Sequence, residues 1–263
     1  MQEYHYEGTG EIPAGTERLV CISDEDRPAI TSLPPLPEGL LKLRCYLNEE
    51  LTILPPLPSS LRKLDCIECN LTELPPLPEG LVVLSLSKIP SITIPSIFPE
   101  NLEILVLGNV YLGDVLTSLP SKLRVLSCNY CKLTSLPPLP EGLQSLDCGG
   151  NQLTSLPKLP VGLKVLNCWS NQLTSLPLIP ESLTKLNCSG NSLSSDITAL
   201  ENSAQYVKQL QLKEKEQAEF KKTIEKLLKE IEQLNEYIRF APGGVEFLKA
   251  KGLFEIHVQG LNK

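Results

Sequence analysis

Two hydrophobic periods are nested in this chain. The longer one steps by 20 or 21 residues, with Leu40, Leu61, Leu81, Leu102, Leu123, Leu143, Leu163 and Leu183 each opening a unit. A degenerate first unit begins near Thr16 and reaches Cys21, which brings the array to about nine units over residues 16–195. The shorter period is two. In the cleanest unit, LQSLDCGGNQLTSLPKLPVG from Leu143 to Gly162, Leu146 and Cys148 alternate with Ser145 and Asp147. Such alternation predicts a short strand with one buried face.

The remainder of each unit is not helical. Prolines in LPPLP and its variants remove amide donors and fix φ, so this stretch is expected to run extended, as polyproline II. Asn151, Asn171 and Asn191 fall where the chain turns after the strand. A side-chain amide there can satisfy backbone groups of adjacent turns. Stacking the units gives the predicted fold, an α/β solenoid. Its short strands form a parallel sheet on the concave face, its polyproline-like segments form the convex side, and an α-helical segment follows at the C-terminus. The unit fits the leucine-rich-repeat pattern L-x-x-L-x-L-x-x-N/C-x-L at the short end of its range, which implies a horseshoe. Residues 1–15 precede the array and 196–263 follow it.

The motif LTSLPPLPEGLQSLDCGGNQ closely resembles the 20-residue repeats of bacterial secreted leucine-rich-repeat effectors. That class includes Yersinia outer protein M and the invasion-plasmid-antigen H ubiquitin ligases. The resemblance covers residues 16–195 and implies a protein-binding module that engages a host protein inside the host cytoplasm. Two features depart from the class. Its members usually carry a helical cap before the repeats, whereas here the helical segment comes after them. The ligases also carry a large catalytic domain with a C-x-D nucleophile; no C-x-D occurs here, and the ligase activity is not carried over.

Composition narrows the function. The net charge of −7 provides no global basic field for nucleic acid. No run of about 18 apolar residues occurs, so membrane insertion is not expected. The opening MQEYHYEGTGEIPAG lacks the apolar core of a Sec signal peptide. Secretion therefore implies a non-Sec route; otherwise the expected place is the bacterial cytoplasm. No G-x-S-x-G, H-E-x-x-H or phosphate-cradling glycine loop is found, and no enzyme or cofactor is expected.

Nine cysteines raise the one competing chemistry, because CIEC and CNYC read as zinc or dithiol motifs. Their phase argues otherwise. Cys21, Cys45, Cys66, Cys128, Cys148, Cys168 and Cys188 share one inward position, and Cys69 and Cys131 share the Asn/Cys turn position. Cysteine at an inward position is a small buried hydrophobe. The two C-x-x-C pairs are three coils apart, about 14 Å, far beyond the span of one zinc with Zn–S bonds of about 2.3 Å. The two histidines, His5 and His257, are read as lying outside the array.

The outward strand positions of the concave face are the candidate site. One column runs Arg18, Lys42, Lys63, Val83, Ile104, Val125, Ser145, Val165, Lys185. The next runs Val20, Arg44, Asp65, Ser85, Val106, Ser127, Asp147, Asn167, Asn187. The first units are basic and the middle is apolar. Tyr130 and the single tryptophan, Trp169, stand just beyond the strands as aromatic anchors. The candidate partner-binding residues are thus Arg18, Lys42, Arg44, Lys63, Asp65, Val83, Ile104, Val106, Val125, Tyr130, Asp147 and Trp169.

After Asn191 the composition shifts to Lys, Glu, Gln and Leu. Ile224, Leu227, Ile231, Leu234 and Ile238 follow a heptad seam. Residues 196–263 are expected to cap the last coil or to pair with a partner or a second copy; self-association here would make the protein structural. Their Glu/Lys-rich composition resembles the tail signals of type IV (Dot/Icm) effectors of intracellular bacteria such as Legionella.

Overall fold

The computed structural model describes residues 3–193, except 24–28, 90, 114 and 115, together with Lys222 and Lys226. The chain divides into two units, Met1–Val207 and Lys208–Lys263, and the sheet belongs to the first. Of the helical segment expected over 196–263, Lys222 and Lys226 alone are described, both as helix, and its cap or self-association role and tail signal lie outside the described residues.

Ten strands form one parallel sheet in chain order. The first five are β1 (Glu3–Tyr6), β2 (Arg18–Ile22), β3 (Lys42–Tyr46), β4 (Lys63–Ile67) and β5 (Val83–Ser87). They continue with β6 (Ile104–Gly108), β7 (Val125–Ser127), β8 (Ser145–Asp147), β9 (Val165–Asn167) and β10 (Lys185–Asn187). The sheet reaches one strand further than the repeats announce. β1 pairs with β2 in the same phase, with Tyr4 opposite Leu19 and Tyr6 opposite Cys21. His5, read from sequence as outside the array, stands on this strand opposite Val20. Tyrosines replace the leucine and cysteine of the other units, so the repeat pattern is silent there.

The inward positions make a continuous ladder. Leu43, Leu64, Leu84, Leu105, Leu126, Leu146 and Leu166 are fully buried, and the cysteine column lies beside them. The extended segments close the other side of the core. In the cleanest coil, Leu153, Leu156 and Leu159 point in, and no helix occurs among the described residues of this segment. A recurring turn then returns each coil to its strand; Leu61, Leu81, Leu102, Leu123, Leu143, Leu163 and Leu183 each donate an amide to the carbonyl of the proline three residues earlier.

The turn after each strand is held by side chains. Asn151 Nδ2 donates to the carbonyls of Cys128 (2.8 Å) and Cys148 (2.9 Å), and its Oδ1 accepts from the amides of Cys131 (2.9 Å) and Leu133 (3.1 Å). Asn171 and Asn191 repeat the pattern on the following coils. Asn48 does the same near the start of the array, bridging the carbonyls of Cys21 and Tyr46 at 2.9 Å each. Cys69 and Cys131 occupy this column too, each donating its thiol to the carbonyls of Cys45 and Leu107 respectively. In the middle coils Ile89 and Val110 fill the column with apolar packing instead.

Candidate functional site

Strand pairing assembles the two outward columns residue for residue as the phase predicts. Arg18 through Lys185 stand in one register and Val20 through Asn187 in the next. All twelve candidate residues therefore belong to one surface or its rim, in three chemically distinct zones.

The first zone, on β2 to β4, is less basic than its sequence. Asp65 points outward by phase but is only 4% exposed. One of its oxygens, Oδ2, lies 3.0 Å from Lys63 Nζ and 3.5 Å from Arg44 Nε, and accepts a hydrogen bond from Tyr46 Oη at 3.4 Å. Its carboxylate thus fixes two cations and a phenol rather than facing outward alone. Burial, and then the charge of Asp65, hold the Tyr46 phenol above its ordinary pKa. Arg18 Nη1 reaches Glu3 of β1 at 3.8 Å, and Glu3 is shared with His5 at 3.4 Å. The Nε of Arg18 is buried without a hydrogen-bond partner among the described residues, and the buried Nε of Arg44 has only its 3.5 Å ion-pair contact with Asp65. A buried donor left unmade costs about 1–3 kcal/mol.

The second zone is apolar. Val83, Ile104 and Val125 are consecutive register partners on β5, β6 and β7, and Val106 lies two residues from Ile104 on the same face. All four are half-buried. The small residues Ser85 and Ser127 flank Val106 and keep the surface open above it. Neighbouring strands set these side chains about 4.8 Å apart, so they form a patch rather than scattered residues, the arrangement that marks interaction surfaces.

The third zone is the rim beyond β7 to β9. The Tyr130 and Trp169 rings meet edge to face, with centroids 5.3 Å apart and planes at 75°. Tyr130 is 53% exposed and Trp169 half-buried. Between them passes the coil of Gly149 and Gly150, and Asp147 Oδ1 accepts the Gly149 amide at 3.2 Å. Asp147 thereby holds the glycine coil that the rings straddle. Lys132 Nζ lies over the Tyr111 ring, 5.0 Å from its centroid, beside this pair in sequence.

A further column escaped the sequence reading. From β3 onward the residue two beyond the last inward Cys or Leu at each strand has a left-handed backbone: Leu47, Glu68, Lys88, Asn109, Tyr130 and Ser170, with φ of 49–58°, and Gly150 and Gly190 at 67° and 68°. This conformation is uncommon for bulky residues. The signal was present in Asn109, Gly150 and Gly190, residue types that favour it. Tyr130 adopts it at φ 56°, and this backbone directs its ring along the rim.

The thiols belong to the core. All nine are buried. Burial pushes Cys131 up to about 11 and Cys168 up to about 12, and drives Cys128 and Cys148 well above the ordinary thiol range. Among the described residues no three His, Cys, Asp or Glu side chains gather as a metal site would require. A shallow depression on the rim is lined by Glu49, Glu68, Cys69, Asn70 and Lys88, and Lys88 pairs there with Glu68.

Known proteins place this arrangement. A model of leucine-rich repeats in two copies matches residues 121–161. No curated protein matches the chain. Among solved structures, YopM from Yersinia enterocolitica WA-314 is 27% identical with a TM-score of 0.52. The match covers 71% of this chain and 49% of that one, so the chain spans about half the length of that YopM. A Shigella effector leucine-rich-repeat domain is 28% identical over 71% of this chain and 74% of its own, with a TM-score of 0.30.

Proposed function

We propose that this leucine-rich-repeat protein, with repeats of the YopM type, is a non-enzymatic module that holds a host protein on its concave face. Delivery from a bacterium into the host cell by a non-Sec route completes the reading, and rests on the likeness to YopM and to the repeats of secreted effectors. The observation that carries the binding role is the run of Val83, Ile104 and Val125 across three adjacent strands. Strand propensity alone favours β-branched residues, yet the same columns carry serine, aspartate, asparagine and lysine on other strands. The apolar stretch is therefore a local choice. It runs toward the Tyr130–Trp169 pair, and large aromatic rings at the edge of an apolar patch are the usual anchors of protein interfaces.

The test is affinity capture from host-cell lysate with the full chain and with Ile104→Asp combined with Val125→Asp. Both side chains point away from the core, so the variant keeps its fold, checked by circular dichroism. Loss of the captured protein in the variant is the expected result. Capture at the wild-type level by a folded variant refutes binding at the apolar centre.

A further inference from the structure

We propose that the first strands of the concave face receive an acidic segment of the bound protein, with carboxylates at alternate residues. This rests on the concave face being the binding surface and adds the chemistry that its basic end selects.

Arg18, Lys42 and Lys63 stand as consecutive register partners on β2, β3 and β4, and Arg44 stands in the adjoining column. At a strand spacing of about 4.8 Å, three cations span roughly 10 Å. Like charges directly opposite one another across strands oppose pairing unless a counter-charge meets them. The described residues of this face provide two carboxylates for the four cations. Glu3 goes to Arg18, and the buried Asp65 goes to Lys63 and Arg44. Lys42, at the centre, has no side-chain partner among the described residues. The buried Nε donor of Arg18 also lacks a hydrogen-bond acceptor among the described residues.

The cluster is local and runs against the charge of the whole chain, which is −7. Beyond Lys63 the two columns carry one further cation, Lys185, at their far end. Asp65 adds a second, independent mark. A carboxylate sunk beneath Lys63, Arg44 and Tyr46 orders these side chains before any ligand arrives, which lowers the ordering cost of binding.

The spacing names the ligand. In an extended peptide, residues i and i+2 put side chains on one face about 6.8 Å apart. Two carboxylates at that spacing fall within the roughly 10 Å row of three cations, one nearer Arg18 and the other nearer Lys63, with Lys42 between them. A nucleic-acid strand would ask for a longer basic track, and this one ends at Val83, where the apolar zone begins. A partner segment with alternate acidic residues followed by an apolar stretch matches both zones in order.

The experiment is fluorescence anisotropy of the full chain with a labelled peptide alternating Glu and Ser. A Lys–Ser peptide and an oligothymidylate serve as the other ligands, each at low and high salt. The expected result is selective, salt-sensitive binding of the acidic peptide, weakened roughly tenfold by Arg18→Gln with Lys42→Gln and further by Lys42→Glu. Lys185→Gln leaves it unchanged. Neither Arg18 nor Lys42 supports the core, so loss of binding in a folded variant is not a folding defect. Failure of the acidic peptide to bind, tighter binding of either other ligand, or full binding by the variants overturns the proposal. If lysate capture still depends on Ile104 and Val125 in that case, concave-face binding stands and only the acidic segment falls.

Discussion

Tyr130 and Trp169 meet edge to face across a coil that contributes no side chain between them, since its residues there are Gly149 and Gly150. A Cβ on Gly149 would stand 2.3 Å from Trp169 Nε1, and one on Gly150 would stand 2.7 Å from Tyr130 Cδ1. The paired glycines are therefore what lets two rings on alternate coils touch. Gly149→Ala should displace the indole, shift the emission of the single tryptophan to longer wavelength, and cost about 1–3 kcal/mol of stability. An unchanged emission spectrum would show that the rings do not depend on the glycine gap.

Tyr130 combines an aromatic contact with a backbone that favours glycine. Tyr130→Ala keeps the left-handed strain and loses the ring contact. Tyr130→Gly relieves the strain while losing the same contact. The glycine variant should thus be more stable than the alanine variant by roughly 1 kcal/mol, and both should weaken partner capture. Urea denaturation of the two proteins separates strain from contact; equal stabilities would remove the strain from the account.

The asparagine ladder makes a quantitative prediction about the turns. Asn171→Ala leaves the carbonyls of Cys148 and Cys168 and the amide of Leu153 without this side-chain partner. A loss of about 2–3 kcal/mol in unfolding free energy is expected from urea denaturation. Asn171→Cys should cost less, because thiols at Cys69 and Cys131 already donate to the equivalent carbonyls. A cysteine variant as unstable as the alanine one contradicts the equivalence.

Alkaline pH tests the buried thiols. Cys131 and Cys168, at about 11 and about 12, hold their protons far above an unfolded thiol, which titrates near about 8.5. The native state therefore binds more protons than the unfolded one between these values. Stability contributed this way is fully present below about pH 8.5 and is lost as pH rises toward 11–12, by about 1.4 kcal/mol per pH unit per thiol. Urea midpoints measured from neutral pH upward should be flat and then fall, and Cys168→Ala should flatten the fall. A midpoint independent of pH up to about 10.5 contradicts this. Native thiols should also resist alkylation at neutral pH, with all nine reacting after unfolding.

Much of this surface was legible in the sequence, for a geometric reason. A fixed side-chain period within a unit, and a unit length that barely varies, determine which residues become neighbours. Arg18, Lys42 and Lys63 line up because each stands at one phase. What escaped depends on side chains rather than phase. The burial of Asp65 follows from the long neighbours that lean over it. β1 escaped because Tyr4 and Tyr6 fill inward positions that the repeat reserves for leucine and cysteine. The Tyr130–Trp169 contact skips a coil, and only the glycine pair in LDCGGNQ hinted at it. The middle coils lose the turn asparagine, and Ile89 and Val110 show that packing can replace its hydrogen bonds.

The concave face as binding surface is the central claim, and site-directed photo-crosslinking tests it most directly. A photoreactive residue at Val125, on the outward face of β7, is compared with one at Leu178, an exposed residue of an extended segment outside the sheet. In host lysate the account predicts a discrete crosslinked product from position 125, suppressed by Ile104→Asp, and none from position 178. A product from 178 with nothing from 125 would place the partner on the other side of the solenoid and contradict it.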